Sequence, residues 1–209
     1  IKLISKINKE LNVSINVASI FKSNTIKRII EYLKDTTETA VTISKANIIK
    51  VEEQKLSFAQ ERLWFIEKHE GGTNAYNIPM VFKISNNANI DLLELSIRSI
   101  VARHEVLRTL IKEDAEGNGY QLILDSQENP LEIRRVVLSN KVSLDEELRK
   151  AANYIYDLSS EIPIKVDFYE LELNKEHYVS IIVHHIAFDG WSTDIFFNEL
   201  PKYYDYYFK

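Results

Sequence analysis

The 209-residue chain contains no cysteine. That absence excludes a disulfide-stabilised scaffold, a cysteine nucleophile and a zinc site built from thiolates. It is compatible with the cytoplasm, which is the location we expect. Glycine and proline are also scarce, with 5 and 4 residues, and neither GxGxxG nor GxxxxGK occurs. We therefore expect no glycine-rich loop of the kind that binds nucleotide phosphates.

Positive charge and long apolar segments are lacking as well. The chain has 26 basic and 31 acidic residues, which gives a net charge of −5 and argues against a dedicated nucleic-acid binder. No apolar run approaches the roughly 18 residues of a membrane span, and no secretory signal is visible. With 45% hydrophobic and 27% charged residues, the composition is that of a globular protein.

The first 54 residues show helical periodicity followed by a polar stretch. Ser23 or Asn24 is expected to cap a helix, because an apolar stripe at helical spacing follows. The stripe, which we expect to be buried, consists of Ile26, Ile29, Ile30 and Leu33. Residues 35–54 lose this periodicity, and their polar composition indicates a linker.

Residues 55–209 alternate between helical and strand patterns. Sequences of the capping-box type predict helix starts at Ser57, Asp91 and Ser143. Alternating and β-branched stretches predict strands over 76–85, 107–112, 120–124 and 131–138, and a hairpin of 164–173 and 177–185. Strands that are interleaved with helices and joined partly by hairpins predict an α/β or α+β fold with a mixed sheet.

The end of the chain combines an interior proline with clustered aromatic residues. Pro201 lies in a helical pattern that begins near Ser192, and an interior proline destabilises a helix by about 3 kcal/mol. We therefore expect a kink or a restart at residues 200–201. The aromatic residues beyond it are Tyr203, Tyr204, Tyr206, Tyr207 and Phe208. So much apolar surface on one segment predicts that a further lobe normally covers it.

Residues 183–192, VHHIAFDGWS, form the densest group of side chains in the chain that could take part in catalysis. Because side chains alternate along a strand, His184 and His185 are predicted to point to opposite faces, so at most one of them serves a substrate. Gly190 is expected to supply a tight turn, and Ser192 to cap the next helix. An imidazole beside free N–H groups at a helix start is suited to general-base catalysis next to a developing oxyanion.

The residues alone leave other interpretations of that segment open. Both histidines could be structural residues satisfied by hydrogen bonds. A metal site through His185 and Asp189 is not expected, since no further His or Cys cluster completes it.

A second cluster, residues 103–109, lies where a helix is predicted to end. Arg103 and His104 suit the last turn, where cations interact favourably with the helix dipole. The alternative is that Arg103 or Arg108 is the buried partner of Asp189. A third cluster, residues 57–64, by itself predicts only a capped amphipathic helix.

Together the three clusters resemble, in order, the first three core motifs of nonribosomal peptide synthetase condensation domains. The matching sequences are Ser57-x-Ala59-Gln60-x-Arg62-Leu63-Trp64, Arg103-His104-Glu105-x-Leu107-Arg108-Thr109 and His184-His185-x-x-x-Asp189-Gly190-Trp191-Ser192. The resemblance covers residues 52–209. Residues 1–33 resemble the second half of a peptidyl carrier domain, whose attachment serine would stand just before Ile1. We therefore expect a partial carrier over 1–34, a linker over 35–54 and the N-terminal lobe of a condensation domain over 55–209.

The resemblance implies a chloramphenicol-acetyltransferase-like fold of two lobes with a tunnel between them. It implies peptide-bond formation, in which the amine of a carrier-bound acceptor attacks the thioester of a carrier-bound donor. His185 is then the general base or a positioning residue, supported by His184. Asp189 is expected to form a salt bridge to Arg103 or Arg108. Gly190 keeps the tunnel open, and Trp191 and Ser192 line it.

The implied cofactor is 4'-phosphopantetheine on carrier domains, with no metal. The implied partners are upstream and downstream carrier domains, an adenylation domain and the C-terminal lobe, with neither nucleic acid nor membrane. A heterocyclisation domain is disfavoured because His184 is not Asp, and an epimerisation-type relative because Trp191 precedes Ser192. The alternatives kept open are a non-catalytic carrier/condensation fragment that acts only as an interaction module, and the less favoured epimerisation-type relative of the same fold. Without the later motifs, we expect these residues alone to be inactive.

Overall fold

The structure is a computed structural model that describes residues 6–7, 10–11, 21–23, 25–35 and 54–209. The chain divides into two compact units, residues 1–50 and 51–209. Most of the predicted carrier helices and residues 36–53 of the predicted linker lie outside the described residues, as does the serine expected before Ile1. The division into carrier, linker and condensation lobe stays a prediction.

The first unit contains one fully described helix, α1 (Ile26–Asp35). The hydroxyl of Thr25 accepts the N–H of Arg28 at 3.4 Å, so the observed capping contact lies just after the predicted Ser23 or Asn24. The predicted burial of the stripe is wrong at Ile26, which is 79% exposed, and at Ile30, which is about half exposed. Periodicity identifies the apolar face of a helix, but it does not show that another element covers that face.

The second unit alternates strands and helices, as predicted. The helices are α2 (Phe58–Glu70), α3 (Ile90–Arg103), α4 (Lys141–Ala152) and α5 (Gly190–Phe208), with a 3-10 turn at Glu105–Arg108. The strands are β1 (Gln54–Lys55), β2 (Asn77–Ile84), β3 (Thr109–Glu113), β4 (Gly119–Ile123), β5 (Ile133–Leu138), β6 (Ile164–Leu171) and β7 (Glu176–His184). The strand predicted from residue 107 starts at Thr109, because the 3-10 turn occupies the two residues before it.

Two sheets organise the unit, and the larger is mixed, which confirms the predicted fold class. Its strand order is β2-β7-β6-β5, in which only the β5–β6 pair is parallel. The smaller sheet has the order β1-β4-β3 and is antiparallel. The β6–β7 hairpin is central to the larger sheet, so the end of β7, which carries His184, lies between two strands.

The two faces of the larger sheet bury different clusters because strand side chains alternate. Phe168 belongs to the main core, which includes residues of α3 and α5 such as Ile100 and Phe196. The next residue, Tyr169, lies in a smaller cluster with Leu144 of α4.

The three helices predicted from capping-box sequences are all present, but the capping residue was predicted correctly only for α2. Ser57 forms the full capping box: its hydroxyl accepts the N–H of Gln60, and the Gln60 side chain accepts the N–H of Ser57. Asn89 and Asn140, not Asp91 and Ser143, cap α3 and α4. The N–H groups of Asp91 and Ser143 are themselves the capped donors, at 2.9 and 3.0 Å from the asparagine oxygens. Asn is as good a cap as Asp or Ser, so the pattern alone did not distinguish neighbouring candidates.

Helix α5 continues through Pro201, so of the two predicted outcomes the restart is wrong, while the kink stays a prediction. Contacts with α3 and its N-cap hold the segment after the proline: the Tyr204 hydroxyl accepts the N–H of Asn89 at 2.8 Å, and the hydroxyls of Tyr207 and Ser99 lie 2.7 Å apart. Tyr206 and Phe208 remain strongly exposed. Among the described helices none is long and apolar enough to cross a bilayer.

Candidate active site

A cleft of about 650 Å³ opens where the loop after β7 meets the starts of α2 and α5. All three sequence clusters contribute to it, since its wall contains residues of α2, Val106 of the 3-10 turn and the loop from His185 to Asp189. The polar side chains along it are those of Ser57, Gln60, Arg62, Tyr76, His185, Asp189 and Ser192. Its volume falls within the usual 300–1,000 Å³ of small-molecule sites.

His185 is the exposed imidazole of this cleft. It follows the last residue of β7, and its backbone N–H donates to the carbonyl of Tyr76 at 2.8 Å, which extends the pairing with the β2 side by one step. The backbone is thereby fixed while the side chain remains accessible to solvent.

His184 has the opposite environment, with 0% of its surface exposed. Its Nδ1 lies 3.1 Å from the N–H of Ile186 and accepts that hydrogen bond, so the ring proton belongs on Nε2. Nε2 donates to Glu67 Oε1 at 3.1 Å. Burial lowers the pKa of His184, and the Glu67 carboxyl only partly opposes this shift. His184 is thus a neutral, buried group, and of the adjacent pair only His185 can meet a substrate.

The predicted salt bridge from Asp189 to Arg103 or Arg108 is wrong. Asp189 is exposed and caps α5: its Oδ1 accepts both the N–H and the hydroxyl of Ser192 at 2.8 Å. Within residues 54–209, no arginine lies at salt-bridge distance from its carboxylate. The Ser192 N–H, followed by its hydroxyl, holds the pKa of Asp189 below its usual value, and the nearby His185 contributes in the same direction. The carboxylate needs no buried arginine because the helix start supplies its donors.

The start of α5 corrects two further expectations. Asp189, not Ser192, is the cap, and the N–H of Ser192 is already bonded and unavailable to a developing oxyanion. Gly190 has no positive φ, and a Cβ added there would meet no heavy atom within 4 Å. The turn therefore does not require glycine. Ser192 lines the cleft, whereas Trp191, about half exposed, is outside the lining that the described residues form.

The arginines of the second motif serve the packing of neighbouring elements. Arg103 Nε and His104 Nε2 lie 3.3 and 2.8 Å from the two carboxylate oxygens of Glu199, which joins the end of α3 to α5. Arg108 donates to the carbonyls of Leu124 and Ala102, which fixes the 3-10 turn against β4. Neither arginine lines the cleft in the described part of the chain.

The sequence patterns missed two contributors to the site. Glu67 is the partner of His184, and the only signal for it was an acidic residue seven positions after Gln60, on the same face of α2. Tyr76 supplies the carbonyl that binds the N–H of His185, a backbone contact with no sequence signal. Among the described residues, no group of three or more His, Asp or Glu side chains is arranged to hold a metal ion.

The sequence of the chain matches a known family model and several curated proteins. The profile of the family described as "Condensation domain" matches residues 50–208. An N-(5-amino-5-carboxypentanoyl)-L-cysteinyl-D-valine synthase of Amycolatopsis lactamdurans is 39% identical over 155 residues, which are 74% of this chain and 4% of that protein. A dimodular nonribosomal peptide synthase of Bacillus subtilis (strain 168) is 31% identical over 191 residues, 91% of this chain and 8% of that protein.

Solved structures show the same fold. The crystal structure of the X-domain from teicoplanin biosynthesis superposes with a TM-score of 0.67 and 28% identity, over 77% of this chain and 34% of that one. The chain thus spans only a small part of its curated relatives and about a third of that structural neighbour.

Proposed function

Because the chain belongs to the condensation-domain family, we propose that it forms the amide bond between two carrier-bound substrates in nonribosomal peptide synthesis. The amine nitrogen of the acceptor attacks the carbonyl carbon of the donor thioester. A C–N bond forms and the C–S bond breaks. The proton lost by the amine ends on the leaving thiol, so the reaction consumes no further reagent.

The accessibility of His185 is the observation that carries this proposal. An amine that attacks a thioester becomes cationic and must lose a proton, and an imidazole at hydrogen-bond distance can accept that proton or hold the amine in place. His185 is an exposed imidazole in a substrate-sized cleft, whereas His184 is buried and uses both ring nitrogens.

The polar groups of the cleft suit a positively charged amine better than an oxyanion. The carboxylate of Asp189 lies in the same cleft, where it can attract the positive charge that develops on the attacking amine. The bonded N–H of Ser192 does not offer a free donor to an oxyanion. Asp189 therefore favours the cation of the reaction, and His185 is placed beside it to receive or hold the amine proton.

The cleft also suits the arms that carry both substrates. A 4'-phosphopantetheine arm is a flexible chain of amide and methylene groups, and the cleft combines Ser57, Gln60 and Ser192 with the apolar Val106 and Phe188. These residues can bind such an arm, which supplies the reactive thioester. The expected partners are the carrier domains on either side, together with the adenylation domain and the C-terminal lobe of the synthetase.

The experiment uses the intact synthetase with donor and acceptor loaded onto their carriers. The wild-type enzyme should form the amide-linked product, detected by mass spectrometry, and His185→Ala should reduce its rate strongly without changing carrier loading. His69→Ala is the matched control, since His69 is exposed on the last turn of α2, away from the cleft.

Two results would contradict the proposal. One is an unchanged rate of product formation in His185→Ala. The other is a wild-type enzyme that binds loaded carriers and forms no amide, which would favour a non-catalytic interaction module. Formation of the amide product by the wild-type enzyme would in turn argue against an epimerisation-type relative.

A further inference from the structure

Helix α2 contacts the residue after His185 from two sides. The side chain of Gln60 approaches the carbonyl oxygen of Ile186 at 3.5 Å, the long limit of a hydrogen bond. The N–H of Ile186 donates to His184 Nδ1 at 3.1 Å, and Nε2 of the same ring binds Glu67 at 3.1 Å. The first turn of α2 thus reaches Ile186 directly, and its third turn reaches it through one imidazole.

Glu67 is built into the structure at this point. Only 7% of its surface is exposed. Its Oε1 accepts from His184, and its Oε2 accepts the N–H of Thr73 at 2.9 Å. Both carboxylate oxygens therefore have a donor. A glutamine has only one acceptor oxygen and two N–H donors, so it could not satisfy both partners.

The proton position on His184 decides whether the loop after His185 is held. With the proton on Nε2, the ring donates to Glu67 and its bare Nδ1 faces the N–H of Ile186. In the other tautomer an Nδ1–H would face that N–H, and two donors cannot form a hydrogen bond. An acceptor that faces Nε2 selects the productive tautomer.

We infer that Glu67 is a positioning residue for His185: by fixing His184 in its Nε2–H form, it holds Ile186 and with it the loop that directs His185 into the cleft. This inference rests on the proposed function. Glu67 itself is not among the described residues that line the cleft. Glu67 acts through His184. The buried His184 ring can transmit this effect without contacting a substrate.

The kinetic test compares Glu67→Gln with Glu67→Asp and Glu70→Gln in the intact synthetase with preloaded carriers. Displacing a reacting group by about 1 Å can reduce a rate by roughly 100-fold, and we expect a kcat loss of that order in Glu67→Gln with little change in KM for the carriers. Glu67→Asp keeps both acceptor oxygens and should lose less. Glu70→Gln, a change at an exposed residue of the same helix, should behave as the wild type.

A spectroscopic readout separates positioning from a general loss of folding. In the 209-residue chain with ¹⁵N-labelled histidine, two-bond proton–nitrogen spectra identify which ring nitrogen carries a proton, and His184→Gln assigns the signals. We expect a protonated Nε2 and a bare Nδ1 on His184 in the wild type. Glu67→Gln should change this pattern and shift the His185 signals, whereas Glu70→Gln should change neither.

Several results would overturn the inference. They are a wild-type His184 with its proton on Nδ1, an unchanged kcat in folded Glu67→Gln, and a kcat loss without any change in the His185 signals. If Glu67→Gln does not fold, the tautomer of His184 in the wild type and the kcat of Glu67→Asp decide whether the inference stands. A synthetase that forms no amide would remove the proposed function, while the tautomer and the His185 shift would still report on the contact itself.

Discussion

Replacing Asp189 with alanine distinguishes the observed helix cap from the salt bridge that the sequence suggested. The side chain accepts two hydrogen bonds from Ser192 at the start of α5, and it lies at the surface. Loss of an N-cap side chain destabilises a protein by about 1 kcal/mol, and loss of the favourable charge at the helix start adds about 0.3–1 kcal/mol. We therefore expect Asp189→Ala to lower the free energy of unfolding by about 1–2 kcal/mol.

The asparagine variant provides the internal comparison. Asn caps helices about as well as Asp, so Asp189→Asn should keep the hydrogen bond from the Ser192 N–H and lose only the charge. Its expected loss is below about 1 kcal/mol. Breaking a buried ion pair instead costs about 3–5 kcal/mol, because the remaining charge is left unpaired, and an amide would not restore it.

Urea unfolding of the 209-residue chain, followed by tryptophan fluorescence, measures both variants. The slope of the free energy with urea concentration should stay constant, so that the change in midpoint reports stability. A loss above about 3 kcal/mol that is equal in Asp189→Ala and Asp189→Asn would refute the capping role and restore a buried arginine partner.

Two further changes test neighbouring features. Gly190→Ala should leave the free energy of unfolding within about 0.5 kcal/mol of the wild type, since an added Cβ meets open space. If substrate passes over this position, the same variant should slow product formation in the synthetase; a large stability loss would instead show that the turn requires glycine. Acidification should destabilise the chain, because burial lowers the pKa of His184 below its ordinary 6.5 and the unfolded state then binds the proton first. The stability that His184 contributes is complete above pH 6.5 and falls by at most about 1.4 kcal/mol per pH unit below it. Urea unfolding measured between about pH 7 and about pH 5.5 should therefore show that the free energy of unfolding depends less steeply on pH in His184→Gln than in the wild type. An equal slope in wild type and variant would contradict the neutral, buried state of His184.

The order and type of the elements were predictable because each pattern is local. Alternation along residues 177–185 identified β7, and the same alternation predicted different environments for the two adjacent histidines. The mixed sheet followed from strands interleaved with helices, before any contact was known.

Contacts between distant segments could not be predicted in the same way. Glu67 and His184 are 117 residues apart, and only the fold brings the third turn of α2 over the end of β7. Asp189 illustrates the opposite error: an arginine was sought at a distance, although the donors lay three residues ahead in the next helix. Pro201 was tolerated because contacts with α3 hold the segment beyond it.

Histidine-selective modification tests the accessible His185 most directly. The intact synthetase is treated with diethylpyrocarbonate, the modification of each histidine is followed by mass spectrometry, and product formation from preloaded carriers is measured in the same samples. We predict that His185 reacts well before His184, that activity disappears at the rate of His185 modification, and that loaded carriers slow both. Full activity after complete modification of His185, or reaction of His184 first, would contradict the assignment of His185 as the residue that meets the substrate.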